Sequence, residues 1–234
     1  MRTKKSFPAE LAFVIGLVLI AFSVTLAQRA DFGLSMIVAP AYLLHRFLEP
    51  YLPFFSFGMA EYCFQGFLIL LTALITRRFR VGYVLSFVTA VLYGLTLDGL
   101  NLLVAFLPAD ALWLRLIWFA LSIVICAAGV SLMFHSYLPP EAYELIVMEI
   151  SDRYHLNIVH FKTAYDLISC AVAIAMSFLI FGLWHFEGVS WGTIVIALIN
   201  GYAIGRFSHL FEKRFEFRDA LPWRPFFTGE KPKK

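Results

Sequence analysis

Apolar residues fall along the chain in six runs, at about 10–30, 56–76, 81–107, 112–135, 160–183 and 189–210. Each is long enough to cross a bilayer as a helix, which takes about 20 residues. Polar or proline-bearing breaks separate the runs: Arg29-Ala30-Asp31, Arg77-Arg78-Phe79-Arg80, Pro108-Ala109-Asp110, His135 to Pro140, and Trp184 to Gly188. Two further segments are too short to span. "DFGLSMIVAPAYLLHRFLEP" carries Pro40 and Pro50; "SYLPPEAYELIVMEISDRYH" opens on Pro139-Pro140 and carries Glu141, Glu144 and Glu149. The pattern predicts an all-α polytopic membrane protein, with six transmembrane helices plus two short half-helices, each half-helix re-entrant or lying at the interface.

Composition agrees. Apolar residues make up 61% of the 234 positions and charged residues 15%, with a mean hydropathy of +0.78. Soluble domains run at roughly 45–50% and 25%. The net charge is +3, and the basic residues sit at the ends of apolar runs in no separate patch, so no nucleic-acid partner is expected. Cys63, Cys126 and Cys170 lie inside apolar runs without metal-ligand spacing and read as small packing residues. The basic N-terminus leads into a run that lacks a convincing cleavage site, so a retained first span is expected.

Basic residues also set the orientation. With the N-terminus inside, Arg2, Lys4, Lys5, Arg77, Arg78, Arg80, Arg153 and the basic stretch from Arg206 to Lys234 lie on the cytoplasmic side; Arg29, Arg46 and Arg115 lie outside. Both termini are therefore expected in the cytoplasm, with a basic cytoplasmic tail over 211–234. The two short segments take equivalent places in the order span, half-helix, span, span. This divides the single transmembrane domain, 1–234, into repeat 1 (about 10–107) and repeat 2 (about 112–210). "PAYLL" (Pro40 to Leu44) echoes "EAYEL" (Glu141 to Leu145), and "VLYGLTLDG" echoes "LINGYAIGR", aligning Gly94 with Gly201 and Gly99 with Arg206. Three spans per unit make the repeats inverted in topology, a pattern that marks many secondary transporters.

"DFGLSMIVAPAYLLH" followed by "FSFGMAEYCFQGFLILL" resembles the first repeat of the YczE/YyaS/YitT group of bacterial integral membrane proteins. "SFVTAVLYGLTLDGL" is similar to that group's third span, with a Gly and then an Asp. "GVSWGTIVIALINGYAIGRF" is similar to its last span. The resemblance covers roughly 30 to 210. Met36 follows Gly33-Leu34-Ser35 where the group has Pro, and Arg206 is charged where the group is apolar. The resemblance implies a multi-pass fold in the bacterial inner membrane and, since the group is regarded as transporters, a role in transport.

Ionisable side chains at bilayer depth cost about 2.5–3.5 kcal/mol on insertion scales, so they face cavities or partners. Seven polar residues qualify as candidates for substrate or ion binding: Glu61, Asp98, Asn101, Lys162, Asp166, Asn200 and Arg206. Asp98 and Asn101 share a helix face, as do Lys162 and Asp166. Asp98 stands out, being about 17 residues (~25 Å) into its run with no basic residue in the same span. A cavity-facing carboxyl there would contact substrate or carry a coupling proton; a protonated, hydrogen-bonded carboxyl is the plainer alternative. Arg206 is equally placed to snorkel to inner headgroups with Lys213 and Arg214. Lys162 with Asp166 is equally a structural pair, and Glu61 is near enough to the outer surface to be wet.

No Gly-rich phosphate loop, Gly-x-Ser-x-Gly, HExxH or histidine box is present, so no enzyme, cofactor or metal site is expected. Trp113, Trp118, Trp184, Trp191 and Trp223 near run ends suit interfacial anchoring. The reading is a secondary carrier for a small solute through a central polar cavity between inverted repeats. Its partners are the lipid bilayer and a small-molecule or ion substrate, with possible proton coupling and possible oligomers. The alternatives are a substrate-binding membrane subunit of a multi-component importer and a non-transporting scaffold or regulator.

Overall fold

The computed structural model of the protein describes residues 5–183 and 186–222. Of the expected cytoplasmic tail, 211–234, the part from 223 onward, with Trp223, lies outside the described residues, as does Trp184. Within them the chain is mostly helical: α1 (Ala9–Ala30), α2 (Ala39–Leu48), α3 (Phe57–Thr76), α4 (Val81–Val104), α5 (Leu112–Phe134), α6 (Ala142–Tyr154), α7 (Ile158–Phe181) and α8 (Trp191–Arg214). Six of these are long and apolar enough to cross a membrane. The two short helices, α2 and α6, fall where the sequence placed its half-helices.

Helix ends follow local chemistry. Ser56 caps α3, its hydroxyl accepting from Met59 N at 3.0 Å, the usual role of a serine at a helix N-terminus. Asp31, Arg77 and His155 end α1, α3 and α6 in the left-handed region, at φ 57°, 51° and 54°. That closing conformation usually falls to glycine.

α1 is the most enclosed span and packs along α5. The two backbones meet at Gly16 and Gly129, where a Cβ on Gly16 would stand 2.8 Å from Gly129 O. α3 and α4 meet in the same way at Gly58 and Gly94, where a Cβ on either glycine would overlap the other's carbonyl oxygen. Gly201, which echoes Gly94 in sequence, has open space where its Cβ would be. The echo between the two units is thus not an echo in packing at this point.

One end of the bundle carries a feature absent from the sequence reading. Residues Lys5–Pro8 form a strand, β1, parallel to a second strand, β2 (Phe215–Arg218), that continues from α8. Glu10 fastens this end further, accepting from Tyr137 Oη at 2.6 Å and Leu221 N at 2.9 Å. The segments before α1 and after α8 are therefore on the same side, as an even number of spans requires.

At the opposite end sit the three arginines that depart from the basic-residue asymmetry, each already engaged. Arg29 donates to Leu107 O at 2.6 Å, Arg46 pairs with Glu49 at 2.6 Å and Glu187 at 3.1 Å, and Arg115 pairs with Asp31 at 2.9 Å. α2 lies at this end, with Tyr42 against Phe57 at the start of α3. α6 enters from the other. Its first residues are buried level with Gln65 in the middle of α3, and Tyr154 in its last turn donates to Ile75 O at 2.9 Å. Arg80 and Tyr83 of α4 hold Glu149 of α6 at 3.0 and 2.9 Å.

The cysteines differ from expectation in part. Cys63 is exposed on α3, whereas Cys126 and Cys170 are half-buried.

Candidate functional site

Asp98 sits one turn and a half before the end of α4, where α4 crosses the start of α3. Its Oδ1 accepts from Gly58 N at 2.7 Å, and Ser56 Oγ donates to its Oδ2. The carboxylate is therefore the anionic cap of α3, supplying acceptors to the unsatisfied donors of a helix N-terminus and lying at the positive end of its dipole. Asp98 has no basic residue in its own span, as the sequence indicates, and its hydrogen-bond partners come from elsewhere. The partner is a helix end in a neighbouring span, which spacing within α4 cannot reveal.

Beyond the cap the same carboxyl borders a cavity of about 600 Å³. Asn101, Gln28, Arg29, His45 and Ser56 line it as well, and Phe57 contributes to its wall. His45 Nδ1 lies 2.8 Å from Phe55 O. A carbonyl only accepts, so Nδ1 carries the hydrogen and the neutral ring keeps Nε2 as its acceptor. The cavity thus offers carboxylate, guanidinium, amide and imidazole groups to a polar solute. Phe57 of the cavity wall belongs, with Tyr93 and Leu97, to one apolar cluster, all three nearly or fully buried.

Glu61 belongs to a second polar group, at the N-terminus of α6. Glu61 and Gln65 are 0% exposed and Glu141 6%, which overturns the reading of Glu61 as a wet residue. Gln65 organises the group. Its Oε1 accepts from Ala142 N at 3.1 Å, satisfying a donor of the first turn of α6. Its Nε2 lies 3.4 Å from Glu61 Oε2 and 3.2 Å from Glu141 Oε2. The reversed amide would set donor against donor at Ala142, so the network fixes its orientation. Tyr143 Oη donates to Glu61 Oε2 at 2.8 Å. Among the described residues, Glu61 Oε1 and Glu141 Oε1 are buried without a hydrogen-bond partner. Burial, with the charges of Glu144 and Glu61 beside it, holds Glu141 well above the ordinary carboxylate range. Thr89 of α4 steadies the approach to α6, its hydroxyl 3.3 Å from Pro139 O.

Residues 7–209 match a family of unknown function, DUF6198. The chain belongs to that family. Comparison with curated proteins and with solved structures gave no match. Membership of DUF6198 carries no activity, so the functional argument rests on the geometry alone.

The remaining candidates of this DUF6198 chain are spread over other faces. Lys162 and Asp166 form an ion pair at 3.0 Å on α7, partly exposed, next to Glu144 of α6. Asn200 on α8 places Nδ2 3.8 Å from Cys126 Sγ. Arg206 is exposed on α8 and borders a shallow surface cavity of about 370 Å³ with His209 and Lys213. The seven residues therefore do not surround one central cavity. Two line the end cavity, one lies in the buried group, and four lie on α7 and α8. Among the described residues no cluster of three or more His, Cys, Asp or Glu is placed to hold a metal ion.

Sequence reasoning missed Gln65, Glu141, Tyr143, Arg29 and His45. Gln65 left one trace, standing four residues after Glu61 on the same face. Glu141 was visible after Pro139-Pro140 at the start of a half-helix, which the sequence left as re-entrant or interfacial. Arg29 and His45 looked like ordinary end-of-run residues.

Proposed function

We propose that the protein is a secondary carrier moving a small polar solute across the bacterial inner membrane. Two inverted units of three spans, about 10–107 and 112–210, build it, each with one short helix, and both termini lie in the cytoplasm. The observation that carries this reading is an open polar cavity at one end together with a buried carboxylate group further along α3. Solute enters the cavity against Asp98, Asn101, Arg29 and His45. The apolar cluster of Phe57, Tyr93 and Leu97 keeps it from passing until the bundle rearranges.

The two short helices support the same reading. α6 begins inside the bundle, and interrupted helices with ends near the midplane are a recurrent device of transporter folds.

The test is a thermal-shift screen of polar metabolites on purified protein, followed by uptake of each stabilising solute into proteoliposomes. Saturable uptake, weakened by Asn101→Leu, is the expected result. Ligands that stabilise the protein yet never cross the membrane would refute a carrier.

A second reading has its own observation. About 56% of the most apolar stretch of α1 is buried within the chain, against 11% for α7 and 6% for α8. A partner subunit on α7 and α8 would make this chain the solute-capturing component of a larger importer. Co-purification of a stoichiometric partner from native membranes would favour that reading.

A further inference from the structure

Gln65 and Glu141 are 76 residues apart in sequence, yet one side-chain nitrogen, Gln65 Nε2, lies within hydrogen-bond reach of both Glu61 and Glu141. Two ionised carboxylates in a buried space that share a single neutral donor repel each other and lack solvation. Elsewhere in this chain an acid and a base are matched: Lys162 with Asp166, Arg80 with Glu149, Arg46 with Glu187. Among the described residues no cation is bonded to either carboxylate. Lys162 is taken by Asp166 and acts on Glu144. The other groups facing the pair are the phenols of Tyr143 on α6, Tyr93 on α4 and Tyr165 on α7, with Glu144 one turn further along α6. All are neutral or anionic, so none supplies the missing charge.

The orphan atoms say where that charge goes. Glu61 Oε1 and Glu141 Oε1 are both buried and unpartnered, while each Oε2 is fixed by Gln65, and that of Glu61 also by Tyr143. A hydrogen on one of the two Oε1 atoms neutralises half of the pair and leaves every observed bond intact.

We infer that Glu61 and Glu141 form a proton-binding pair holding one exchangeable proton, seated at the N-terminus of α6 by Gln65 and Tyr143. The reaction is protonation alone: one carboxylate of the pair takes a proton to become a carboxylic acid, and its loss restores two carboxylates with no other bond changed. Losing the proton sets two anions against each other across the contact between α3 and α6. The expected consequence is a loosening of α6 from α3. That coupling role rests on the carrier reading above; the proton site itself does not.

Infrared difference spectroscopy on the purified full-length protein in lipid nanodiscs tests the site without any transport. A pH titration should show a carboxylic acid C=O band that shifts on deuterium exchange. Two interacting sites titrate as a pair with macroscopic midpoints, so each of Glu61→Gln and Glu141→Gln should lower the midpoint of the remaining acid, because a neighbouring anion is removed. The double variant should lose the band. Tyr143→Phe, which removes a donor to the carboxylate form, should raise the midpoint. A band that survives the double variant overturns the inference, as does a single variant whose partner titrates as in wild type. If the double variant does not fold, the midpoints of the single variants decide. Sodium chloride against choline chloride at fixed pH should leave the band unchanged; a sodium-dependent loss that the variants abolish would make this a cation site instead. Should the band behave as expected while no solute moves in vesicles, the carrier reading fails and the proton site stands.

Discussion

Replacing Asp98 separates its two roles, helix cap and cavity wall. Asp98→Ala removes the acceptor of Gly58 N, now at 2.7 Å, and the partner of Ser56 Oγ. Hydrogen bonds to a charged group are worth about 1.5–3 kcal/mol each, and loss of an N-terminal cap costs roughly 0.5–2 kcal/mol. Asp98 is half-buried beside a water-accessible cavity, so water recovers part of this, and a loss of about 2–3 kcal/mol is expected. Asp98→Asn keeps an acceptor oxygen for Gly58 N, puts an amide nitrogen opposite Ser56 Oγ, which must then accept rather than donate, and loses the charge facing the α3 N-terminus, itself worth about 0.3–1 kcal/mol. Reversible unfolding in mixed detergent micelles, followed by far-ultraviolet circular dichroism, measures both. Ala should be clearly the worse of the two. Equal losses for Ala and Asn, or an Ala variant within about 0.5 kcal/mol of wild type, would refute the capping account. Because the Asn variant keeps the fold, a transport defect in it reports on the charge in the cavity.

Steric and topological consequences follow from the same structure. Gly94→Val should sharply reduce folded yield on size-exclusion chromatography, since a Cβ there overlaps Gly58 O, while Gly201→Val, with open space around it, should leave yield unchanged; overpacking of this kind costs about 1–3 kcal/mol or more. In a variant free of Cys63, Cys126 and Cys170, a cysteine at Arg78 should react only from the cytoplasmic face and one at Asp110 only from outside, and the reverse pattern of labelling would invert the topology. The stability of the protein should fall as pH rises above the ordinary carboxylate range toward the raised value of Glu141, because over that window the folded state binds more protons than the unfolded one. Glu141→Gln should flatten that part of the pH profile of the unfolding midpoint; an unchanged slope would show that Glu141 does not titrate with folding.

The spans were legible because the bilayer imposes a single strong pattern, about 20 apolar residues between polar breaks. The two short helices were legible for a related reason: Pro40 and Pro139-Pro140 interrupt stretches too short to span. The site was only half legible. Depth along one helix singled out Asp98, whereas Glu61, about a turn into its run, was also open to a wet reading, and most of the partners of both come from other elements. Gly58 N and Ser56 serve Asp98, and Gln65, Tyr143 and Glu141 surround Glu61. Spacing within one helix brings Gln65 to Glu61 and nothing more. The short parallel pairing of β1 with β2 was invisible for the same reason, since it joins residues about 210 positions apart, and four-residue strands leave no periodic signal.

The coupling of the carrier to the buried proton pair is tested most directly by solute-driven proton movement. Proteoliposomes loaded with a pH-sensitive dye are given each polar solute that stabilises the purified protein, with no other gradient present. The account predicts a saturable change in internal pH for at least one such solute, present in wild type, weakened by Asn101→Leu in the cavity, and abolished by the Glu61→Gln, Glu141→Gln double variant in the buried pair. A stabilising solute that crosses the membrane equally well in wild type and double variant, with no proton moved in either, would contradict it.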